Sequence, residues 1–178
     1  MNTDSFYPTI VFWGFCWIYD RKQIHFSRDH WRLYWDPDPG HILIRDSANI
    51  FPMNPGMVYL IAPYAMVDQE LEQPVRTLYV HFSLGFPYDK MASECIKIIP
   101  KTEVIHLLQQ QIIHYYLEVK DRCQLENLLK AYIHAVLSHF STSFWINLPN
   151  YPLPFLELLQ FLRHSPHKNY TVDELTCM

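Results

Sequence analysis

The sequence predicts an α+β fold in which a sheet-forming half precedes a helical half. All four glycines and nine of the thirteen prolines lie in residues 1–100, between short runs of β-branched and aromatic side chains. Residues 101–148 contain neither proline nor glycine, and their apolar side chains recur at helical spacing. Because proline and glycine interrupt helices and mark turns, this distribution favours strands in the first region and helices in the second.

Composition and charge exclude a disordered chain and argue against direct nucleic-acid binding. Of the 178 residues, 49% are hydrophobic and 18% are charged, so the chain can bury a core. The formal net charge is −4. A chain with this balance lacks the basic surplus that attracts proteins to phosphate backbones.

No segment predicts export or membrane insertion. The apolar run at residues 10–19 is shorter than the roughly 20 residues that span a bilayer, and residues 1–8 carry no basic side chain. The expected compartment is therefore the cytoplasm. The four cysteines lie far apart without metal-type spacing, so we expect reduced thiols.

Turn signals divide the first hundred residues into short strands. Four are predicted, at Trp31–Trp35, Ile42–Arg45, residues 57–62 and residues 75–82. The first two flank a turn-forming segment at residues 36–40, in which Asp36 and Asp38 are expected to be solvated. Short strands separated by turns in this way are typical of a sandwich or barrel.

The strand at residues 75–82 has one polar and one apolar face. Thr77, Tyr79 and His81 alternate with Leu78, Val80 and Phe82. The polar face is a candidate for the lining of a binding site, because a polar ligand needs hydrogen-bonding groups among aromatic walls. Alternation does not say which face points inward, and a core His81 bonded to a backbone carbonyl is an equal alternative.

Two helices are predicted in residues 101–148. The first covers residues 103–119, and Asp121 can cap the second. Apolar side chains of the second follow the i, i+3, i+4, i+7 rule and include Leu125, Leu129, Tyr132 and Val136. The two helices are expected to form an antiparallel hairpin. Their stripes are wide enough to leave apolar surface for a second subunit, although core packing also accounts for most of these residues.

A third region follows a proline-rich connector. Pro149, Pro152 and Pro154 predict a stiff linker, after which residues 153–163 predict a short helix. Thr171 and Glu174 then form a capping box that predicts another helix start. We expect this region to be the truncated beginning of a second domain.

Several motifs occur in a characteristic order. They are W-R-L-Y-W at residues 31–35, N-P-G-M-V-Y-L-I-A-P at 54–63, L-Y-V-H-F at 78–82, and F-L-R at 161–163 followed by Y-T-V-D-E-L at 170–175. With the order of the predicted elements, they resemble the AraC-type transcription regulators over the whole chain. The P-G-x-x-x-L-x-P-P and Y-x-x-F patterns of that family are matched only approximately.

This resemblance implies a fold and a function. Residues 1–100 would form a cupin-like jelly-roll β-barrel that binds a small-molecule effector, possible classes being a sugar or a small acid. Residues 101–148 would be an α-helical hairpin that dimerises, and residues 149–178 a linker and a short helical stub of a helix-turn-helix domain. The DNA-reading helices would lie beyond Met178, so DNA would be a partner only through that missing domain. No catalytic step, cofactor or metal is implied.

The resemblance also ranks candidate residues. Arg28 resembles by position the arginine that family members direct into the pocket, the alternative being a surface side chain paired with Asp29. The remaining candidates are the possible N-terminal arm, Tyr7 and Pro8, the loop and strand residues Tyr64 and Gln69, and the face with Thr77, Tyr79 and His81. Leu125, Leu129, Tyr132 and Val136 are the candidates for dimerisation.

Two other functions remain open at this point. A cupin-fold enzyme would need a catalytic or metal constellation, yet the sequence has no H-x-H, no G-x-S-x-G and no i, i+4 histidine pair in its helices. A metal in such an enzyme would be held by His81 and non-standard ligands. The other alternative is a purely structural oligomerisation module.

Overall fold

The computed structural model describes residues 7–19, 22–39, 42–46, 49–85, 88–90 and 95–140. All of them belong to one compact unit, Met1–Asn147. The predicted linker, the helix at residues 153–163 and the capping box at Thr171 lie outside the described residues.

Nine strands of the described residues form two antiparallel sheets. They are β1 Thr9–Ile18, β2 Lys22–Phe26, β3 Trp31–Trp35, β4 Ile42–Arg45, β5 Ile50–Pro52, β6 Met57–Ile61, β7 Val67–Leu71, β8 Val75–Ser83 and β9 Ile96–Pro100. The five-stranded sheet has the order β1-β8-β3-β6-β9, and the four-stranded sheet has the order β2-β7-β4-β5. This two-sheet arrangement followed by helices confirms the predicted fold class.

Both faces of the five-stranded sheet are covered at its centre. Every residue of β3 is buried, and in β8 Thr77 and His81 are buried together with the alternate residues Leu78, Val80 and Phe82. A strand that is solvated on one face would expose every second side chain. The centre of this sheet therefore packs against other elements on both sides.

The helices cover one of these faces. The Trp13 ring on β1 meets the Tyr116 ring edge to face at 5.4 Å, and the Lys101 ammonium lies 5.2 Å from the Trp35 ring centre. Trp13 pairs with Val80 in the β1–β8 register, so these contacts lie on the Val80 face of the sheet. The apolar face predicted for β8 thus packs toward the helical side.

The helical pair begins and turns where the sequence predicts. Helix α1 spans Glu103–His114 and is capped by the Thr102 hydroxyl, which accepts from the Ile105 amide. It continues into a π-helical turn at Tyr115–Val119, and Lys120 then adopts a left-handed conformation. Helix α2 spans Arg122–Leu137, and the Asp121 carboxylate accepts from the Cys123 and Gln124 amides. The predicted Asp121 cap is confirmed.

The predicted dimerisation residues lie in the core of their own subunit. Leu125, Leu129, Tyr132 and Val136 are each at most 3% exposed. A side chain that is buried within its own chain has no surface left with which to contact another. These four side chains therefore pack within their own chain, as in the alternative of core packing, and the surface that contacts a second subunit stays a prediction.

No helix among the described residues is long and apolar enough to cross a membrane. Within the same residues, Cys16, Cys95 and Cys123 are exposed free thiols.

A buried polar contact joins the two helices and gives a test. The Gln109 amide donates to the Tyr132 hydroxyl at 2.9 Å, and both residues are fully buried. We expect Tyr132→Phe to destabilise the fold by about 1–3 kcal/mol, because the buried amide loses its acceptor. Urea unfolding measures this loss.

Two controls accompany that measurement. Tyr132→Phe combined with Gln109→Leu should cost less than the single variant, because no amide is then stranded. Lys130→Ala removes only an exposed ion pair with Glu126 and should cost about 0.5 kcal/mol. Equal stability of Tyr132→Phe and the unmodified chain would contradict the importance of this contact.

Candidate functional site

The polar face of β8 points toward the second sheet. In the β3–β8 register, Tyr34 pairs with Tyr79 on this face, and Tyr34 also pairs with Tyr59 on β6. The Tyr59 hydroxyl donates to the Pro52 carbonyl on β5, which belongs to the four-stranded sheet. The face that carries Thr77, Tyr79 and His81 is therefore the inner face of the jelly roll, a question that alternation alone left open.

Four side chains form a continuous hydrogen-bonded chain from the surface to this inner face. The Asp29 carboxylate lies 2.8 Å from His30 Nδ1, His30 Nε2 lies 2.9 Å from His81 Nδ1, and His81 Nε2 lies 3.1 Å from the Tyr34 hydroxyl. Asp29 is exposed, whereas His81 and Tyr34 are almost fully buried. We call these four residues the Asp29–Tyr34 relay.

The order of donors in the relay follows from the chemistry of its members. A carboxylate only accepts, so His30 Nδ1 carries a proton toward Asp29. With His30 neutral, His81 Nδ1 donates to His30 Nε2 and the Tyr34 hydroxyl donates to His81 Nε2. A proton gained by His30 would reverse both of these bonds, because His30 Nε2 would then donate. The Tyr34 hydroxyl therefore changes from donor to acceptor with the protonation state of His30.

Charge and hydrogen bonding act together at the outer end of the relay. The hydrogen bond from His30 is the largest of the effects that lower the pKa of Asp29, and backbone hydrogen bonding and nearby positive charge add to it. The carboxylate form of Asp29 is thus favoured, which keeps the acceptor end of the relay in place.

Aromatic rings surround His81. The Phe12 ring lies 4.0 Å from the His81 ring, and the Tyr79 ring lies 6.0 Å from each of them. Phe12 reaches this position through an irregularity between Ile10 and Phe12, where the β1–β8 register shifts by one residue. Tyr79 lies across Gly14, where an added Cβ would come within 2.5 Å of the Tyr79 hydroxyl. Glycine at position 14 therefore makes room for the Tyr79 ring.

Arg28 and Tyr64 lie together at the rim rather than in the interior. The Tyr64 amide donates to the Arg28 carbonyl at 2.6 Å, and Tyr64 has a φ of 61°, which is uncommon for a residue other than glycine. Both side chains are exposed. In this structure Arg28 does not enter the barrel, in contrast to the expectation from the resemblance, while its neighbours Asp29 and His30 lead into the interior.

The N-terminal arm is divided between surface and core. Tyr7 is 64% exposed and Pro8 is buried. Pro8 directly precedes the pair Thr9–Ser83, at the end of β1 and β8 that also carries His81. The arm thus lies at the same rim as Arg28 and Tyr64.

Thr77 and Gln69 are buried on the inner faces of the two sheets. Thr77 shares its face of β8 with Tyr79 and His81, and Gln69 on β7 pairs with the buried Ile44 on β4. The Thr77 hydroxyl and the Gln69 carbonyl oxygen make no hydrogen bond with the described residues. Two of the predicted site residues are therefore buried polar groups without an internal partner among those residues.

Sequence reasoning missed part of the inner face. His30, Arg32 and Tyr34 were not selected, although they alternate with the tryptophans of β3 and therefore share one face. The Arg32 guanidinium donates to the Ala65 carbonyl at 3.0 Å, next to the four-stranded sheet. Asp36, expected to be solvated, is fully buried. These residues could have been selected only if the burial of β3 on both faces were known. The turn-forming residues that follow β3 carry no information about that burial.

Metal binding finds no support in the described residues. No group of three His, Cys, Asp or Glu side chains among them is placed to hold a metal ion. The two buried histidines point a nitrogen at each other instead of at a shared centre.

Comparisons with known proteins show a shared fold. No protein-family model and no curated protein matches the chain. The 1.65 Å structure of ToxT from Vibrio cholerae matches 96% of this chain and 69% of its own with a TM-score of 0.50 and 8% identity. ToxT bound to (E)-4-(8-methylnaphthalen-1-yl)but-3-enoic acid gives the same values. The AraC-like transcriptional activator CuxR matches 83% of this chain and 55% of its own with a TM-score of 0.41 and 10% identity. The predicted resemblance to AraC-family regulators is confirmed as a match of fold.

The hydrogen bond from His30 to Asp29 predicts how variants at position 30 change the pKa of Asp29. Glutamine at position 30 places its amide near Nε2 and keeps the contact with His81, whereas asparagine places its amide near Nδ1 and keeps the donor to Asp29. We expect His30→Gln to raise the pKa of Asp29 toward the ordinary aspartate value and His30→Asn to leave it low. NMR titration of the Asp29 carboxyl carbon measures both.

The lowered pKa of Asp29 also fixes how the stability of the fold depends on pH. Because the folded-state pKa of Asp29 is lowered, its bond to His30 stabilises the fold above the ordinary aspartate pKa of about 3.9 and is lost as pH falls through the lowered value. Equal Asp29 pKa values in the two variants would contradict the assigned bond.

Proposed function

We propose that this chain is the effector-binding and dimerisation part of an AraC-type transcription regulator. The observation that carries the proposal is the inner face of the jelly roll, where hydrogen-bonding side chains lie among aromatic rings. Ligand sites in proteins combine aromatic and apolar walls with a few polar groups that orient the ligand. Transcription control would proceed through a helix-turn-helix domain, for which the motifs at residues 161–175 argue, and would place the protein in the cytoplasm.

The match of fold supports a binding role over catalysis. One ToxT structure carries an aryl-substituted butenoic acid. A small organic molecule is therefore a reasonable class of effector for this chain, and a sugar, a small acid and an aromatic metabolite are the probes to compare.

Strand β1 offers a direct route from the site to the helices. Phe12 contacts His81 on the inner face, and the next residue, Trp13, contacts Tyr116 in the π-helical turn on the outer face. A ligand that displaces Phe12 would also shift Trp13, because the two side chains share one stretch of backbone. Regulation would then be a shift between two arrangements of the helical pair, limited by the difference in ligand affinity for them.

Dimerisation would use the exposed side of the helical pair instead of its core. On α1, Val104 and Leu107 are more than half exposed and lie three residues apart, so they occupy one side of the helix. Leu117 and Val119 of the π-helical turn are also about half exposed. These residues offer exposed apolar surface, whereas the candidate residues on α2 are buried.

Effector binding is tested with the whole chain. We expect at least one member of a panel of sugars, short carboxylic acids and aromatic metabolites to raise the melting temperature, with one-site binding in calorimetry. Gly14→Ala should weaken that binding, because the new methyl group displaces Tyr79. Cys95→Ala, at an exposed position directly before β9, should not. No binding by any panel member would contradict the proposal.

Dimerisation is tested by light scattering. We expect the chain to be a dimer at micromolar concentration and Leu107→Glu to shift it toward monomer, because a charge would be buried at the interface. Gln73→Glu, an exposed change in the loop between β7 and β8, should leave the mass unchanged. A monomer at all concentrations, or a dimer unaffected by Leu107→Glu, would contradict the assigned surface.

A further inference from the structure

The chemistry of the inner face restricts the effector more narrowly than the fold does. Thr77 is fully buried and Gln69 is 2% exposed, and each projects from the inner face of its sheet. Hydrogen bonds to the described residues are absent at the Thr77 hydroxyl and at the Gln69 carbonyl oxygen. Burying such an atom without a partner costs stability, because the atom gives up its hydrogen bonds to water and gains none.

Packing does not explain these two residue types. Valine has nearly the shape of threonine, and methionine has nearly the length of glutamine, so apolar residues would fill the same space without that cost. Elsewhere on the inner face the polar atoms of His81 and Tyr59 have partners. Unlike His81 and Tyr59, Thr77 and Gln69 therefore have hydrogen-bonding capacity to spare.

The spare capacity consists mainly of acceptors. A glutamine carbonyl oxygen only accepts, and a threonine hydroxyl can accept or donate. The β3–β8 register ends at the pair Trp35–Leu78, so Asp36, the residue directly after β3, follows on the side of Thr77. Asp36 is fully buried, and burial of the Tyr59 phenol, with a smaller contribution from the charge of Asp36, raises the pKa of Tyr59. Thr77 and Gln69 thus offer hydrogen-bond acceptors, and a carboxylate has no donor with which to satisfy them.

We infer that the effector is an uncharged small molecule with at least two hydrogen-bond donors, hydroxyl or amide, which donate to Gln69 and Thr77. The inference rests on the proposed function and names the ligand class for the same site. The buried cation Arg32 is the feature that would favour an acid instead. Its guanidinium already donates to the Ala65 carbonyl near the rim, whereas Thr77 lies four residues away from His81 toward the other end of β8.

The test compares two ligand classes on matched variants of the whole chain. The probes are uncharged polyols, aldoses and primary amides as donors, and straight-chain alkanoates at neutral pH as donor-free acids. Calorimetry measures affinity for the unmodified chain, Thr77→Val and Gln69→Met. Thr9→Val, at an exposed position on β1, is the control for the loss of a threonine hydroxyl.

The expected result combines a loss of binding with unchanged or higher stability. A donor-rich probe should bind, and each of Thr77→Val and Gln69→Met should weaken it at least tenfold while Thr9→Val does not. The melting temperature of the ligand-free Thr77→Val protein should be equal to or above that of the unmodified chain, because a hydroxyl without a partner is removed. A merely structural hydroxyl would give the opposite stability change.

Three outcomes would overturn the inference, and they separate it from the proposed function. If alkanoates bind as tightly as donor-rich probes, or if the variants leave affinity unchanged, the ligand class is wrong and the effector site stands. If Thr77→Val lowers the melting temperature of the free protein, the hydroxyl serves an internal partner such as a buried water only. If no probe of either class binds, the proposed function fails as well.

Discussion

Burial of the five-stranded sheet on both faces is the constraint on which the rest of the structure depends. The helical pair covers one face and the four-stranded sheet covers the other, so the polar groups of β3 and β8 have little access to solvent. Any such group must find a partner inside the protein or carry the cost of having none. The face toward the helices meets this constraint with apolar side chains such as Leu33 and Val80. The inner face carries Tyr34 and His81 and must meet it with hydrogen bonds.

Near the rim, the polar side chains of the inner face have hydrogen-bond partners. Farther along β8, a buried hydroxyl lacks one among the described residues. Near the rim, the relay gives each ring nitrogen of His30 and His81 a partner and ends on an exposed carboxylate, where solvation of the charge is inexpensive. Farther along β8, Thr77 has no partner among the described residues. Such an inner face would favour ligand binding, because a ligand there gains hydrogen bonds without first breaking others.

Local features were predictable from the sequence, and the roles of the faces were not. The strands Trp31–Trp35 and Ile42–Arg45 and the Asp121 cap depend on neighbouring residues alone, and the sequence patterns predicted them. The alternation in β8 predicted two faces but could not choose between them, because both are buried and burial depends on distant elements. The expectation that Asp36 is solvated was wrong for the same reason. The regular spacing of apolar residues on α2 shows only that this helix face is covered by something. In the structure it is covered by other residues of the same chain.

The link between the inner face and the helices needs no long pathway. Phe12 and Trp13 are adjacent and point to opposite sides of β1, so one strand contacts both the His81 cluster and the Tyr116 turn. An edge strand with an irregular register moves at less cost than a central one, because it has a paired neighbour on one side only. The π-helical turn that Trp13 contacts is itself a departure from regular helix, which can shift register by small rearrangements. Both partners in this contact are therefore the adjustable parts of their elements, and a ligand that repositions Phe12 would act on the helical pair through a single side-chain contact.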